Sequence, residues 1–146
     1  MELVIKFFAE LSVGELWEIY RLRNAVFIVE QNCPYQDIDT ADLTAYHIFL
    51  RDDDGIEAYL RLLPPHTLFD TAAIGRVIAV KRHCGLATRL VNESVAAAQR
   101  IFGADKIKLE AQVYARGLYE KCGFVQSSYE FLEDGIPHIE MTWSRP

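Results

Sequence analysis

Disulfide and zinc frameworks are both missing from this sequence. Its cysteines, Cys33, Cys84 and Cys122, are odd in number and show no CxxC spacing, so neither a covalent staple nor a metal centre is expected, and a reducing cytoplasm is the natural setting. Long apolar runs are missing too. Nothing approaches the ~20 residues needed to cross a bilayer, and the N-terminus lacks an apolar stretch followed by a small-residue cleavage site, so a soluble, unexported protein with no membrane partner is expected. Nor is there an excess of positive charge: 15 Lys and Arg against 21 Asp and Glu leave a net charge of -6, which gives no chain-wide pull toward nucleic acid. The pattern G-x-x-x-x-G-K-[ST] is absent, which counts against a P-loop nucleotide site. Internal repeats, low-complexity tracts and linkers are lacking as well, so residues 1–146 are expected to form one domain.

What is present is the balance of a chain that buries its own core, with 51% hydrophobic and 25% charged residues. Leu3 to Phe8 is apolar and reads as a strand. Ser12 with Glu15 three positions later forms a capping box, so a helix is expected to start there, with Leu16, Trp17, Tyr20, Asn24 and Phe27 at helical spacing as packing residues and Glu15, Glu18, Arg21 and Arg23 on the polar side. From Gln31 to Thr44 the apolar rhythm breaks around Pro34, and this long irregular stretch is a candidate wall for a substrate site. Tyr46 to Leu50 and Ile56 to Leu63 flank Asp52-Asp53-Asp54-Gly55 and read as a hairpin. The acidic triplet suggests calcium at first sight, but it lacks the rest of an EF-hand loop and is expected to be a solvated turn.

Ala73 to Val80 is the next strand, followed by a helix from about Leu86 to Phe102 that ends at Gly103. Ile107 to Ala111 is a strand, Arg116 to Cys122 a two-turn helix, and Phe124 to Phe131 and His138 to Trp143 are strands joined through a turn at Asp134-Gly135. The order predicts a mixed α/β sheet with crossover helices after the fourth and fifth strands.

The chemistry concentrates in Gly75 to Ala87. A strand that passes through a tight loop into a helix aims unpaired backbone N–H groups and the positive end of the helix dipole at one point, which suits a diphosphate. Gly85 and Ala87 permit close backbone approach, and Arg82 within the basic triplet Lys81-Arg82-His83 adds a charge-assisted donor. A basic triplet on a solvated loop would look the same.

Arg82-x-x-Gly85-x-Ala87 resembles the R/Q-x-x-G-x-G/A coenzyme A signature of the GNAT superfamily of N-acetyltransferases, and Tyr119 to Phe124 resembles that superfamily's Y-x-x-x-G-F segment. Arg23 to Asp39 and Asp134 to Ile139 resemble the ElaA branch. Together these blocks span almost the whole chain. One departure stands out: only five residues separate Arg76 from Arg82, a tighter loop than that branch leads one to expect, and Cys84 stands where related loops are richer in glycine.

The resemblance implies a GNAT-like mixed, largely antiparallel sheet with a splayed central strand pair and helices on both faces. It implies acetyl-CoA (coenzyme A) as donor and direct attack of an uncharged amine on the thioester, a small-molecule or peptide amine being the acceptor. The pantetheine arm would pair with Ile78, Ala79 and Val80, one of whose N–H groups would serve the oxyanion, while Arg82, His83, Cys84, Gly85, Leu86, Ala87 and Thr88 would surround the diphosphate. Tyr119 is the expected proton donor to the leaving sulfur, since a phenol can protonate a thiolate. Glu30, Glu110 and His138 are candidate bases acting through water, and Gln112 a candidate contact. Cys33 as a nucleophile would need a neighbouring base that nothing in the sequence supplies. Asp37, Asp39 and Asp42 near the expected substrate wall point weakly to a cationic amine. A non-catalytic acyl-CoA sensor would share the loop, and a homodimer stays open.

Overall fold

The computed structural model describes residues 1–81 and 84–146. Strand β1 (Glu2–Phe7) leads into helix α1 (Val13–Arg23), started by the expected capping box: Ser12 Oγ accepts from the Glu15 N–H at 3.0 Å, and Glu15 returns a carboxylate to the Ser12 N–H at 2.9 Å. The helix then widens into π-type turns over Asn24–Glu30. An irregular stretch closes with a 3₁₀ turn at Thr40–Thr44, and strands β2 (Tyr46–Asp52) and β3 (Gly55–Leu63) form the predicted hairpin. β4 (Ala72–Ala79) precedes α2 (Leu86–Phe102), which stops at left-handed Gly103 with φ 62°. β5 (Lys106–Gln112), the short α3 (Arg116–Glu120), β6 (Phe124–Gln126), β7 (Phe131–Glu133) and β8 (Ile136–Ser144) complete the described chain.

All strands of the described residues join one eight-stranded sheet in the order β1-β2-β3-β4-β5-β8-β6, with β7 on β8. Every pairing is antiparallel except β4 with β5. Strand alternation sends Ile48, Leu50 and Leu60 to one face, where they pack on Leu90, Val91 and Val95 of α2, and Phe49 and Tyr59 to the other, against Ile19 of α1. Helices therefore cover both faces, as expected. No helix among the described residues is long and apolar enough to cross a membrane.

Two local expectations fail. The strand expected over Phe124 to Phe131 is broken into β6 and β7, because Ser127 and Ser128 bond to Glu140 of β8 (Ser127 N–H to the Glu140 carbonyl, Glu140 N–H to Ser128 Oγ, each 2.8 Å) and turn the chain between them. On α1, Trp17 is 64% exposed with the Arg21 guanidinium over its ring, whereas Arg23, expected on the polar side, is fully buried.

Candidate active site

β4 and β5 pair only at Ala72 with Ile107 and Ala73 with Lys108, then part. Between the parted ends opens a cleft of about 1410 Å³, lined by β4 from Ile74 to Ala79 and by Leu109 to Gln112 of β5. That exceeds the roughly 300–1,000 Å³ of an ordinary small-molecule pocket and leaves room for an extended cofactor beside an acceptor.

The β4 wall carries a bulge. Tyr59 faces Ile78 and Arg61 faces Gly75, so Arg76 and Val77 oppose the single residue Leu60, and Arg76 adopts φ 55°. A non-glycine residue there costs about 1–2 kcal/mol and must be held. Holding it are hydrogen bonds from Arg76 Nε to Asp37 Oδ1 at 2.7 Å and from Arg76 Nη2 to the Asp37 carbonyl at 3.2 Å, with the guanidinium over the Tyr35 ring. Nothing in the local sequence around Arg76 announces this bend.

Past the bulge, the Val80 N–H donates to the Glu57 carbonyl at 2.9 Å and is thereby removed from the set expected to serve an oxyanion. Successive N–H groups of a strand point to opposite sides, so the Ala79 N–H is directed away from β3, toward the gap where β5 has left. β4 then passes through Lys81 toward α2; Arg82 and His83, expected at the diphosphate, lie outside the described residues. Gly85 sits at φ 73° as the helix N-cap and supplies no side-chain cap, and the first turn holds no acidic residue. The first-turn N–H groups over Leu86, Ala87 and Thr88 thus face the cleft without helical partners, with the dipole of a long helix behind them. Cys84 and Gly85 line the same cleft.

Tyr119 of α3 forms part of the opposite wall, 7% exposed and edge-on to Phe124 at 6.2 Å. Burial, reinforced by Tyr114 and Cys122, pushes its phenol above the ordinary value, so it carries its proton across the physiological range. Gly123 after it has φ 91°, and a Cβ there would meet the Trp143 ring at 3.2 Å, which explains a glycine before Phe124.

Glu110 on β5, exposed to the cleft, has its carboxyl pushed up to about 7 by partial desolvation and by the neighbouring carboxylates of Glu133 and Glu140. His138 lies opposite Gln112 in the β5–β8 register, and both line the cleft. Its Nδ1 lies 2.7 Å from the Ile136 carbonyl, which can only accept, so Nδ1 carries the proton and Nε2 faces Glu133 at 3.8 Å. In the sequence, only its place beside the Asp134-Gly135 turn hints at Glu133. Glu30 and Cys33 reach the cleft from the α1 side.

Asp37, Asp39 and Asp42 do not present free charge to this cleft. Asp37 accepts from Arg23 Nε at 2.9 Å and from Arg76; Asp42 accepts from Arg23 Nη1 at 2.7 Å and Arg61 Nη1 at 2.9 Å; Asp39 accepts from Arg61 Nη1 at 2.6 Å. Burial alone would raise the carboxyls of Asp39 and Asp42, but hydrogen bonds and charge from Arg61 at the first, and from Arg23 and Arg61 at the second, hold both below the ordinary value. The acidic stretch is structural, and its pointer to a cationic amine falls away.

A model of the acetyltransferase (GNAT) domain matches residues 24–145. The chain belongs to the GNAT acetyltransferase family. A UPF0039 protein of Schizosaccharomyces pombe is 41% identical over 97% of this chain and 95% of its own. An acyl-CoA N-acyltransferase from Pseudomonas aeruginosa superposes with a TM-score of 0.91 at 36% identity, covering 99% of this chain and 100% of the other. Escherichia coli ElaA superposes equally well, with a TM-score of 0.91 at 35% identity over 98% and 99% of the two chains. The sheet with its parted strands thus superposes on that of Escherichia coli ElaA, and the ElaA-like character expected from Arg23 to Asp39 is that of its relatives.

Proposed function

We propose that this GNAT protein transfers an acetyl group from acetyl-CoA to an amine acceptor by direct attack on the thioester. The observation that carries the reading is the convergence, in one cleft, of an Ala79 N–H turned toward the gap, the glycine-started N-terminus of α2 and the protonated Tyr119 phenol. These meet separate needs: backbone N–H groups for the diphosphate, a donor for a developing oxyanion, and a proton for the departing sulfur. The name of the Pseudomonas relative, an acyl-CoA N-acyltransferase, supports the donor.

Gly85, Leu86, Ala87 and Thr88 hold the diphosphate through backbone donors, aided by Arg82, His83 and Cys84; Ile78, Ala79 and Val80 flank the pantetheine arm, with the oxyanion served by Ala79. Tyr119 is the acid. Glu110 is the favoured base over Glu30 and His138, because a carboxyl that titrates near 7 is half ionised where it must accept a proton. The acceptor is a small-molecule or peptide amine, drawn by Glu110 and Glu133 at the cleft rather than by the ion-paired aspartates.

Thermal unfolding in coenzyme A or ATP tests the donor. At a hundredfold excess over Kd, coenzyme A should stabilise the fold by about 2.7 kcal/mol and ATP should not; stabilisation by ATP alone would overturn the reading. Thiol release from acetyl-CoA across an amine panel then separates an enzyme from a sensor.

A further inference from the structure

The β2–β3 hairpin, expected to be a plain solvated turn, holds a feature that the acyl-transfer reading leaves unused. The register pairs Arg51 with Ile56 and Leu50 with Ala58, so Glu57 is an extra residue with no opposite partner. The bulge turns its side chain inward. Glu57 is only 5% exposed, and its Oε2 is buried with no hydrogen-bond partner. A buried carboxylate oxygen without a donor is among the costliest arrangements in a fold, and neighbouring chain normally supplies a cation or an N–H. Here the neighbours add negative charge instead: carboxylate oxygens of Asp52, Asp54 and Glu57 all lie within 4.8 Å of one another. The adjacent arginine does not answer them, since Arg51 is turned to Glu2 at 2.8 Å and Glu15 at 2.9 Å. Nor does the turn backbone, whose Asp54 N–H is spent on Asp52 Oδ1.

We infer that Asp52, Asp54 and Glu57 form a binding site for a calcium-sized divalent cation. Hard carboxylate oxygens suit calcium or magnesium rather than a thiophilic metal. Shell flexibility separates the two: calcium accepts irregular shells of six to eight oxygens at about 2.3–2.6 Å, which suits carboxylates on a hairpin turn, whereas magnesium, at about 2.0–2.1 Å, demands a near-ideal octahedron and gives up its water reluctantly. Asp52 and Asp54 are exposed and leave room for water to complete the shell. The ion would sit on the hairpin whose Glu57 carbonyl receives the Val80 N–H, beside the β4 end of the cleft.

The test uses the full chain, stripped with chelator and titrated with calcium chloride or magnesium chloride up to about 10 mM, the upper end of weak calcium modules. Calcium is expected to raise the unfolding temperature by roughly 4 °C at a tenfold excess over Kd, and magnesium by less. Glu57→Gln should lose at least about tenfold in calcium affinity by calorimetry while its metal-free form melts higher than the wild type, since the substitution removes a buried charge. Asp54→Asn, at an exposed position, should lose affinity with the metal-free melting temperature unchanged. No calcium response in the wild type, or a calcium response in Glu57→Gln and Asp54→Asn equal to that of the wild type, would overturn the assignment.

Discussion

The cleft between β4 and β5 and the ion-paired layer beneath Gln31 to Thr44 use the same residue types to opposite ends. In the layer, the carboxylates of Asp37, Asp39 and Asp42 meet the guanidinium groups of Arg23, Arg61 and Arg76 and are matched charge for charge. His47 takes part as a neutral ring: burial lowers its pKa, its Nε2 donates to the Asp42 carbonyl at 3.1 Å, and Nδ1 accepts from Tyr59 at 2.7 Å. In the cleft, Glu110 meets Glu133 and Glu140 instead of an arginine and its carboxyl rises to about 7. In the layer Asp39 and Asp42 stay ionised and His47 neutral through the working range, whereas in the cleft a proton can move. The two touch at Arg76, whose side chain belongs to the layer and whose backbone shapes the cleft.

The largest expected effect of breaking this contrast lies in the layer. Asp42→Asn keeps the shape and removes the charge, leaving Arg23 and Arg61 buried and short of a counter-ion. Urea unfolding should report a loss of about 3–5 kcal/mol. The pH dependence has a definite sign. Asp39 and Asp42 have folded values below the ordinary 3.8, so their stabilisation is fully present above the unfolded value and is lost as pH falls through the folded one. Acid unfolding should therefore set in below about pH 4 and be blunted in the variant, whose layer has less to lose.

Tyr119→Phe is the next largest and acts on the cleft alone. It keeps the ring against Phe124 and removes only the hydroxyl. Initial rates of thiol release should fall about 100-fold in kcat, equivalent to about 2.7 kcal/mol, with the coenzyme A affinity unchanged. Unaltered turnover would remove Tyr119 as the acid and return the residue to packing.

How far these two regions could be seen in the sequence follows from the range of the interactions that make them. Signals of short range were legible: the Ser12–Glu15 box, Gly103 at the end of α2, the Asp134-Gly135 turn at φ 51° and 77°, and the strand-loop-helix leading to Gly85. So were the motif blocks that carry the family. Illegible were features fixed by partners far along the chain. Arg23 sits at the end of an amphipathic helix and reads as polar surface, because nothing local says that Asp37 and Asp42 will fold over it. Asp37 to Asp42 read as an acidic lure for the same reason. The parting of β4 from β5 is decided by which residues beyond Ala73 find no partner, a matter of tertiary register rather than of composition. The raised Glu110 carboxyl depends on Glu133 and Glu140, brought alongside only by β7 and β8.

Glu110→Gln is the smallest expected effect and separates the two regions most cleanly, because it should move activity and stability in opposite directions. Loss of a base that works through water should lower kcat about tenfold, or about 1.4 kcal/mol. In the wild type, kcat/KM against pH should rise on a limb centred near 7 as Glu110 ionises, and that limb should vanish in the variant. Stability runs the other way. A folded value near 7 stands above the unfolded 4.5, so the folded protein binds the proton more tightly, and the wild type loses stability as pH rises between those values. Because the carboxyl is open to the cleft, solvent screening keeps that loss small. The glutamine variant lacks the titration and should melt slightly higher than the wild type at pH 8. Asp42→Asn should melt far lower under the same conditions. A carboxylate whose removal stabilises the fold while slowing the reaction is held there for chemistry; one whose removal collapses the fold is held for structure.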